Sequence, residues 1–216
     1  MNIILFGPPG AGKGTQGDNL KKDFDLFKIS SGDLLREEIK KKSAIGIRIK
    51  TIVDKGILVS DDIINNLIEI VLSKKSHSNR LIFDGYPRNL SQAKNLDVLM
   101  HKYNQKISCA LSLKVNKNII VKRILGRQIC SKCGLTFNTF FNPSTKKNHN
   151  CNTNLLQKRS DDNEGIINKR FATYEKETLP ILDYYKDQNL LREIDGMGEI
   201  PLIYQEIRGI IDTLET

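Results

Sequence analysis

Residues 7–15 read GPPGAGKGT and follow directly on the apolar run Asn2–Phe6. A strand that ends in a glycine-rich turn and continues into a helix makes a phosphate site. Glycines let successive N–H groups turn inward without Cβ clashes, and the helix N-terminus adds its dipole. Gly7, Gly12 and Lys13 meet the spacing G-x4-G-K, which brings the Lys13 ammonium to phosphate as a point charge. Gly14 comes next and the hydroxyl falls one position later, at Thr15, which suits a phosphate contact or the water shell of magnesium. Asp84 closes the apolar segment LIFD. An acidic residue ending a neighbouring parallel strand suits magnesium held through water.

Phosphoryl transfer asks for positive charge spread around three equatorial oxygens and little other protein chemistry. The arginines fall where that charge is needed. Arg36 lies in a helical stretch after a strand candidate, and Arg88 follows Asp84 by four residues. Arg123 and Arg127 are four apart, and Arg159 and Arg170 flank Asp161 and Asp162. Guanidinium groups grip phosphate bidentately. A second chemistry is marked by Cys130, Cys133 and Cys151, three of the four cysteines. Their C-x2-C-x17-C spacing is that of a two-knuckle zinc ribbon.

The elements that must position these groups read as follows. Asn2–Phe6, 81–83, 109–115 and 190–194 are short buried-strand candidates, with 26–29 a weaker one. Helical stripes lie between them. Ile45, Ile49, Ile52 and Val53 form one, and Ile64, Leu67, Ile68 and Val71 another, preceded by Ser60 as N-cap. A third is formed by Ile203, Ile207, Ile210, Ile211 and Leu214, with Pro201 at its first position. Strands alternating with helices predict an α/β fold on a parallel sheet. Two segments interrupt the alternation: about 30–59, read as two helices, and about 126–163, which holds the cysteines and no clean stripe.

Composition narrows the class. At 39% hydrophobic and 27% charged, the 216 residues support a real core, which excludes a disordered chain and a disulfide scaffold. No apolar run approaches the roughly 18–20 residues of a membrane helix. The N-terminus has no basic leader before its glycines, which predicts a cytoplasmic protein. A net charge of +9 suits an anionic partner without choosing among them. Basic runs such as Lys40–Lys42 and Lys74–Lys75 read as solvated helix faces.

Six segments, GPPGAGKGTQ (7–16), ISSGDLLRE (29–37), GILVSDDI (56–63), FDGYPRNLSQA (83–93), KRILGRQIC (122–130) and KRSDDNEGIINKR (158–170), run in order over nearly the whole chain. Together they resemble the adenylate kinase family of nucleoside monophosphate kinases, in its bacterial long-lid form. The resemblance implies a P-loop α/β fold with a parallel five-stranded sheet flanked by helices. Its core would span 1–29, 60–125 and 164–216, with an AMP-binding insertion at 30–59 and a lid at 126–163. It implies reversible transfer of the terminal phosphoryl group of MgATP to AMP, giving two ADP.

By the same resemblance, Gly10, Ala11, Gly12, Lys13, Gly14 and Thr15 bind the ATP phosphates. Arg127, Thr136, Phe137 and Gly198 lie near its base, ribose or phosphates. AMP falls to Ser31, Arg36, Ile57, Leu58, Val59, Gly85, Tyr86, Pro87, Arg88 and Gln92. Arg159 and Arg170 clamp phosphates from the lid side and Arg123 adds a further contact. The catalytic set is Lys13, Arg88, Arg123, Arg159 and Arg170. Ser31 replaces a common threonine and keeps its hydroxyl; Phe137 replaces a common tyrosine and keeps its ring. A structural zinc in the lid is also implied, on Cys130, Cys133 and Cys151. Family members with a zinc lid carry Cys or Asp three residues after the third cysteine. Here that position is Asn154, a poor ligand, while His149 is chemically better but lies two residues before Cys151, outside the knuckle geometry; water, Asn154 or His149 would complete the tetrahedron.

Three rivals remain at this stage. One is a related kinase with a GTP donor or a UMP or CMP acceptor. Another is a basic zinc-ribbon nucleic-acid protein, which lacks aromatic stacking platforms and leaves the glycine loop unexplained. The third is a P-loop switch protein, against which the DGYPR segment and the lid arginines speak. The expectation is therefore a monomer whose partners are ATP, AMP and ADP, with neither nucleic acid nor membrane.

Overall fold

The computed structural model describes residues 1–74, 78–159 and 161–215; Lys75, Ser76, His77, Ser160 and Thr216 lie outside the described residues. In chain order the strands are β1 (Asn2–Phe6), β2 (Phe27–Ser30), β3 (Leu81–Asp84), β4 (Cys109–Lys114), β5 (Arg127–Cys130), β6 (Thr136–Asn138), β7 (Leu156–Gln157) and β8 (Leu191–Asp195). The helices are α1 (Lys13–Asp23), α2 (Ser31–Lys41), α3 (Ala44–Asp54), α4 (Asp61–Leu72), α5 (Leu90–Lys102), α6 (Lys117–Leu125), α7 (Glu164–Thr173), α8 (Ile181–Asp187) and α9 (Ile200–Glu215).

Five strands form a parallel sheet in the order β2-β3-β1-β4-β8. Both faces are covered, so the central strands are apolar throughout rather than alternating. On one face Ile64 and Ile68 of α4, Leu96 of α5 and Tyr185 of α8 pack on Ile4 and Phe83. On the other, Leu20 of α1 and Ile203, Ile207 and Ile211 of α9 pack on Ile3, Leu5 and Leu111. The sequence strands hold to within a residue or two. Ser60 is the N-cap position of α4 without a side-chain capping bond, and α9 starts at Ile200, so Pro201 is its second residue.

The chain leaves β1 through α1 for one edge of the sheet, returns through β3, and then crosses to β4 on the other side of β1. Ligands of such sheets sit in the crevice at the carboxyl ends of the strands where the order reverses. Two further pieces overhang it. After β2, α2 and α3 cross so closely that a Cβ on Gly46 would lie 2.0 Å from the Glu38 carbonyl oxygen. After α6, β6-β5-β7 form a small antiparallel sheet. Its chain returns to the main body at α7, whose N-cap Asn163 accepts the Ile166 N–H at 3.0 Å.

Candidate active site

The reversal point opens into a cavity of about 1610 Å³. The glycine loop forms its floor. Gly12 caps α1 at φ +100°, a left-handed conformation that disfavours side chains, with nothing within 4 Å of where its Cβ would be. The space beside the start of α1 is therefore open. Lys13 folds over its own loop and donates to the carbonyls of Gly7 at 2.7 Å and Pro8 at 3.0 Å. Asp84 is at the end of the neighbouring strand β3, its Oδ2 3.8 Å from where a Gly14 Cβ would be. That places a carboxylate beside the phosphate loop, where a magnesium ion carried on ATP needs one.

The wall under α2 and α5 is hydrogen-bonded around Arg88. Its Nε donates to the Gly85 carbonyl at 2.7 Å, and one terminal nitrogen donates to Ser31 Oγ at 3.2 Å. Its backbone N–H donates to Gln92 Oε1 at 2.8 Å, and its carbonyl accepts Thr178 Oγ1 at 2.8 Å. Ser31 Oγ in turn donates to the Gly85 carbonyl at 2.6 Å. From above, Arg127 is held by Asp162, its Nε donating to Oδ2 at 2.8 Å, and Arg170 pairs with Asp161 at 2.5 Å. Asp33 faces both Arg36, at 2.5 Å, and Arg159, at 3.9 Å.

These cations crowd one space. Enclosure pushes Lys13 down to about 8, against the pull of Asp84 and with the charges of Arg88, Arg127 and Arg170 adding to it. Enclosure and then Arg170 bring Arg88 down to about 10. Enclosure, Arg127 and Arg36 do the same to Arg159, also to about 10. A site whose cations depress one another is one that favours a polyanion. No histidine lines the cavity among the described residues.

The structure brings most of the sequence candidates to this cavity. Gly10–Thr15, Ser31, Arg36, Ile57–Val59, Asp84, Gly85, Pro87, Arg88, Gln92, Arg123, Arg127, Thr136, Phe137, Arg159, Arg170 and Gly198 all line it. Tyr86 does not: it is buried, and its hydroxyl donates to Asn65 Oδ1 at 2.7 Å. Phe137 is 4% exposed and packs against His149 with ring centroids 4.7 Å apart and planes inclined at 48°, so little of its ring is left open. Sequence reasoning passed over Phe140 and Phe141, two exposed rings lining the cavity, with the Arg123 guanidinium 5.8 Å from the Phe141 centroid. Two adjacent phenylalanines in an otherwise polar segment were the available signal.

The cysteine cluster lies in the small sheet. Sγ of Cys130, Cys133 and Cys151 and a ring nitrogen of His149 all fall within 4.8 Å of one another. The cluster therefore includes His149, one of the candidates for the fourth donor despite its spacing. The reason is a turn: the Thr145 carbonyl accepts the N–H groups of His149 at 2.9 Å and Asn148 at 3.2 Å, which swings the imidazole inward. Nδ1 of His149 is held by Ser144 Oγ at 2.8 Å, while Nε2 is buried without a hydrogen-bond partner. A buried orphan nitrogen beside three thiols is a donor set that fits zinc. The backbone N–H groups of Cys133 and Lys132 also favour the Cys130 thiolate, holding it near 6. Asn154 is exposed on a short turn.

The family model for adenylate kinase matches residues 5–190 of this chain. The chain belongs to the adenylate kinase family. It is 46% identical over 211 residues to the adenylate kinase of Pelagibacter ubique, covering 98% of this chain and 99% of that one. It is 39% identical to the adenylate kinase of Methanocella arvoryzae, over 99% of this chain and all of the relative. To that of a Thermoanaerobacter strain it is 36% identical, over 96% of each. The expected five-stranded parallel sheet of this family is the one observed. No described helix is long and apolar enough to cross a membrane.

Proposed function

We propose that this cavity carries out the adenylate kinase reaction: transfer of the terminal phosphoryl group of MgATP to AMP, giving two ADP. The observation that carries the reading is the convergence of Lys13, Arg88, Arg123, Arg127, Arg159 and Arg170 on one space between two walls. One wall is the glycine loop with the Gly198 segment, the other Ser31, Val59, Gly85, Arg88 and Gln92. Two nucleotides entering from opposite walls meet phosphate to phosphate among these cations. The attacking atom is an oxygen of a phosphate already ionised at neutral pH, so no general base is needed, and among the described residues no histidine lines the cavity. The protein's part is to align the reactants and spread positive charge over the transferred group.

In this reading Gly10–Thr15 hold the donor phosphates, and Asp84 holds the magnesium of MgATP through water. Arg127, Thr136, Phe137 and Gly198 flank the donor base and ribose. Ser31, Arg36, Ile57–Val59, Gly85–Arg88 and Gln92 hold AMP, with the Tyr86 contribution confined to its backbone. Arg159 and Arg170 clamp phosphates of both. The working units are a core of 1–29, 60–125 and 164–216, an acceptor insertion of 30–59 and a lid of 126–163. Closing the insertions excludes water, which otherwise hydrolyses ATP. Zinc on Cys130, Cys133, His149 and Cys151 would be structural, stiffening a lid with little apolar core. We read the chain as a monomer, since one chain supplies every wall of the site.

The test is a coupled assay of ADP formation with ATP plus AMP against ATP alone, repeated with GTP as donor and UMP or CMP as acceptor. Adenylate kinase activity gives fast, AMP-dependent turnover. AMP-independent hydrolysis, or a faster rate with another acceptor, would overturn the assignment.

A further inference from the structure

Gln92 lies in the first turn of α5 on the acceptor wall, 2% exposed, and its side-chain amide is held at both ends. Oε1 accepts the Arg88 backbone N–H at 2.8 Å, and Nε2 donates to Asp61 Oδ1 at 2.7 Å. An amide carries two donor hydrogens and two acceptor lone pairs. Each end therefore keeps one site unengaged among the described residues. Asp61 opens α4 and accepts a second bond from Asn89 Nδ2 at 2.9 Å, while Asn89 Oδ1 caps α5 by accepting the Gln92 N–H at 2.8 Å.

The two partners of the amide are of opposite kind. A carboxylate only accepts and a backbone N–H only donates. Turning the amide over would set its carbonyl against the Asp61 carboxylate and its NH₂ against the Arg88 N–H, losing both bonds and adding repulsion. An amide free to turn has no preference between two purine edges. Adenine offers an acceptor at N1 beside a donor at its 6-amino group, and the fixed amide matches that pair. A 6-oxopurine offers a donor at N1 beside an acceptor at O6, which matches only the turned amide.

We propose that Asp61 sets acceptor-base selectivity by locking the Gln92 amide in the orientation that reads adenine and rejects 6-oxopurines. Asp61 is a positioning residue, acting through Gln92 without touching the nucleotide. The proposal rests on the reading of Gln92 as the acceptor-base contact.

The probe is IMP, which differs from AMP only at that edge. The assay is kcat/KM for AMP and for IMP with MgATP, in the wild-type protein, Asp61→Leu, Asp61→Asn and Gln92→Leu. Leucine keeps roughly the shape of aspartate and removes the acceptor. Loss of one orienting hydrogen bond should narrow the AMP-to-IMP ratio about 10-fold in Asp61→Leu. The change should come mainly from better use of IMP, with KM for ATP unmoved. Asparagine keeps an oxygen able to accept both bonds that Asp61 Oδ1 accepts, so Asp61→Asn should stay nearer the wild-type ratio than Asp61→Leu. Gln92→Leu should lose AMP use far more than ATP affinity and erase the preference. A wild-type ratio in Asp61→Leu alongside a collapsed ratio in Gln92→Leu would overturn the lock while leaving the Gln92 reading intact. An unchanged ratio in Gln92→Leu would overturn both. A purely structural Asp61 would lower the melting temperature of the Leu variant and leave the ratio where it was.

Discussion

Lys13 holds a charge in a place that resists it, and the cost can be measured without substrate. It is half-buried at the floor of the cavity, and enclosure together with three nearby arginines brings its pKa from 10.5 to about 8, with Asp84 opposing. At about 1.4 kcal/mol per unit, the shift corresponds to some 3 kcal/mol; the cavity is open on one side, and solvent screening reduces this to about 1–2 kcal/mol. Between pH 8 and 10.5 the unfolded chain binds a proton at this lysine that the folded protein has released. The unfolding free energy of the wild type must therefore rise with pH across that window, relative to a protein lacking the group. Below pH 8 both states hold the proton and the difference is flat. Lys13→Met removes the group and keeps the length of the side chain. It also removes the bonds to the Gly7 and Pro8 carbonyls, which offsets the two proteins by a constant. Urea unfolding followed by circular dichroism at pH 7, 8, 9 and 10 should give a wild-type minus Lys13→Met difference that grows by about 1–2 kcal/mol. With MgATP present, phosphate charge restores the proton and the slope should shrink. A difference that stays flat or falls from pH 8 to 10 refutes the reading of Lys13 as a strained cation. On the proposed reading the strain belongs to function, because the charge that costs stability is the one offered to phosphate.

Other expectations follow from the same geometry. Arg88→Ala removes one of the cations that line the cavity, and on the proposed reading kcat should fall by about 10³-fold or more, since a transition-state arginine contributes about 10³–10⁵; steady-state kinetics near wild type would discount it. Phe141→Ala should raise KM for ATP about 3–10-fold while leaving KM for AMP within a factor of two, the range expected for one stacking ring; a shift in AMP instead would place the ring on the acceptor side. Protein purified without chelator or histidine tag should carry about one zinc per chain by elemental analysis, lost in both Cys133→Ser and His149→Ala with a fall in lid stability. Substoichiometric metal in folded, fully active protein would mean that the cluster is a leftover.

The chain of GPPGAGKGT through DGYPR to the lid arginines made the chemistry legible before any coordinates, because each motif is a short run whose spacing carries its own geometry. The glycine loop works through consecutive backbone groups, and its strand–turn–helix setting is written in adjacent residues. The three central strands were legible for a like reason: buried parallel strands are near-continuous apolar runs, and Gly7 and Gly85 follow two of them, whereas the edge strands β2 (FKIS) and β8 (LREID) mix apolar with charged residues. Spacing left the fourth donor beside the cysteines open among water, Asn154 and His149, until the Thr145 turn brought the His149 ring into the cluster. It had nothing to say about Asp61, which meets Gln92 from 31 positions away, or about Thr178, which holds the Arg88 carbonyl from 90 positions away. Sequence by itself determined the family and the α/β fold, and named the groups whose type and local backbone suit phosphate. Which way an amide points, which acid pairs with which arginine and which donor completes the cysteines were decided only by packing, because those bonds join elements that the chain brings together late and at long range.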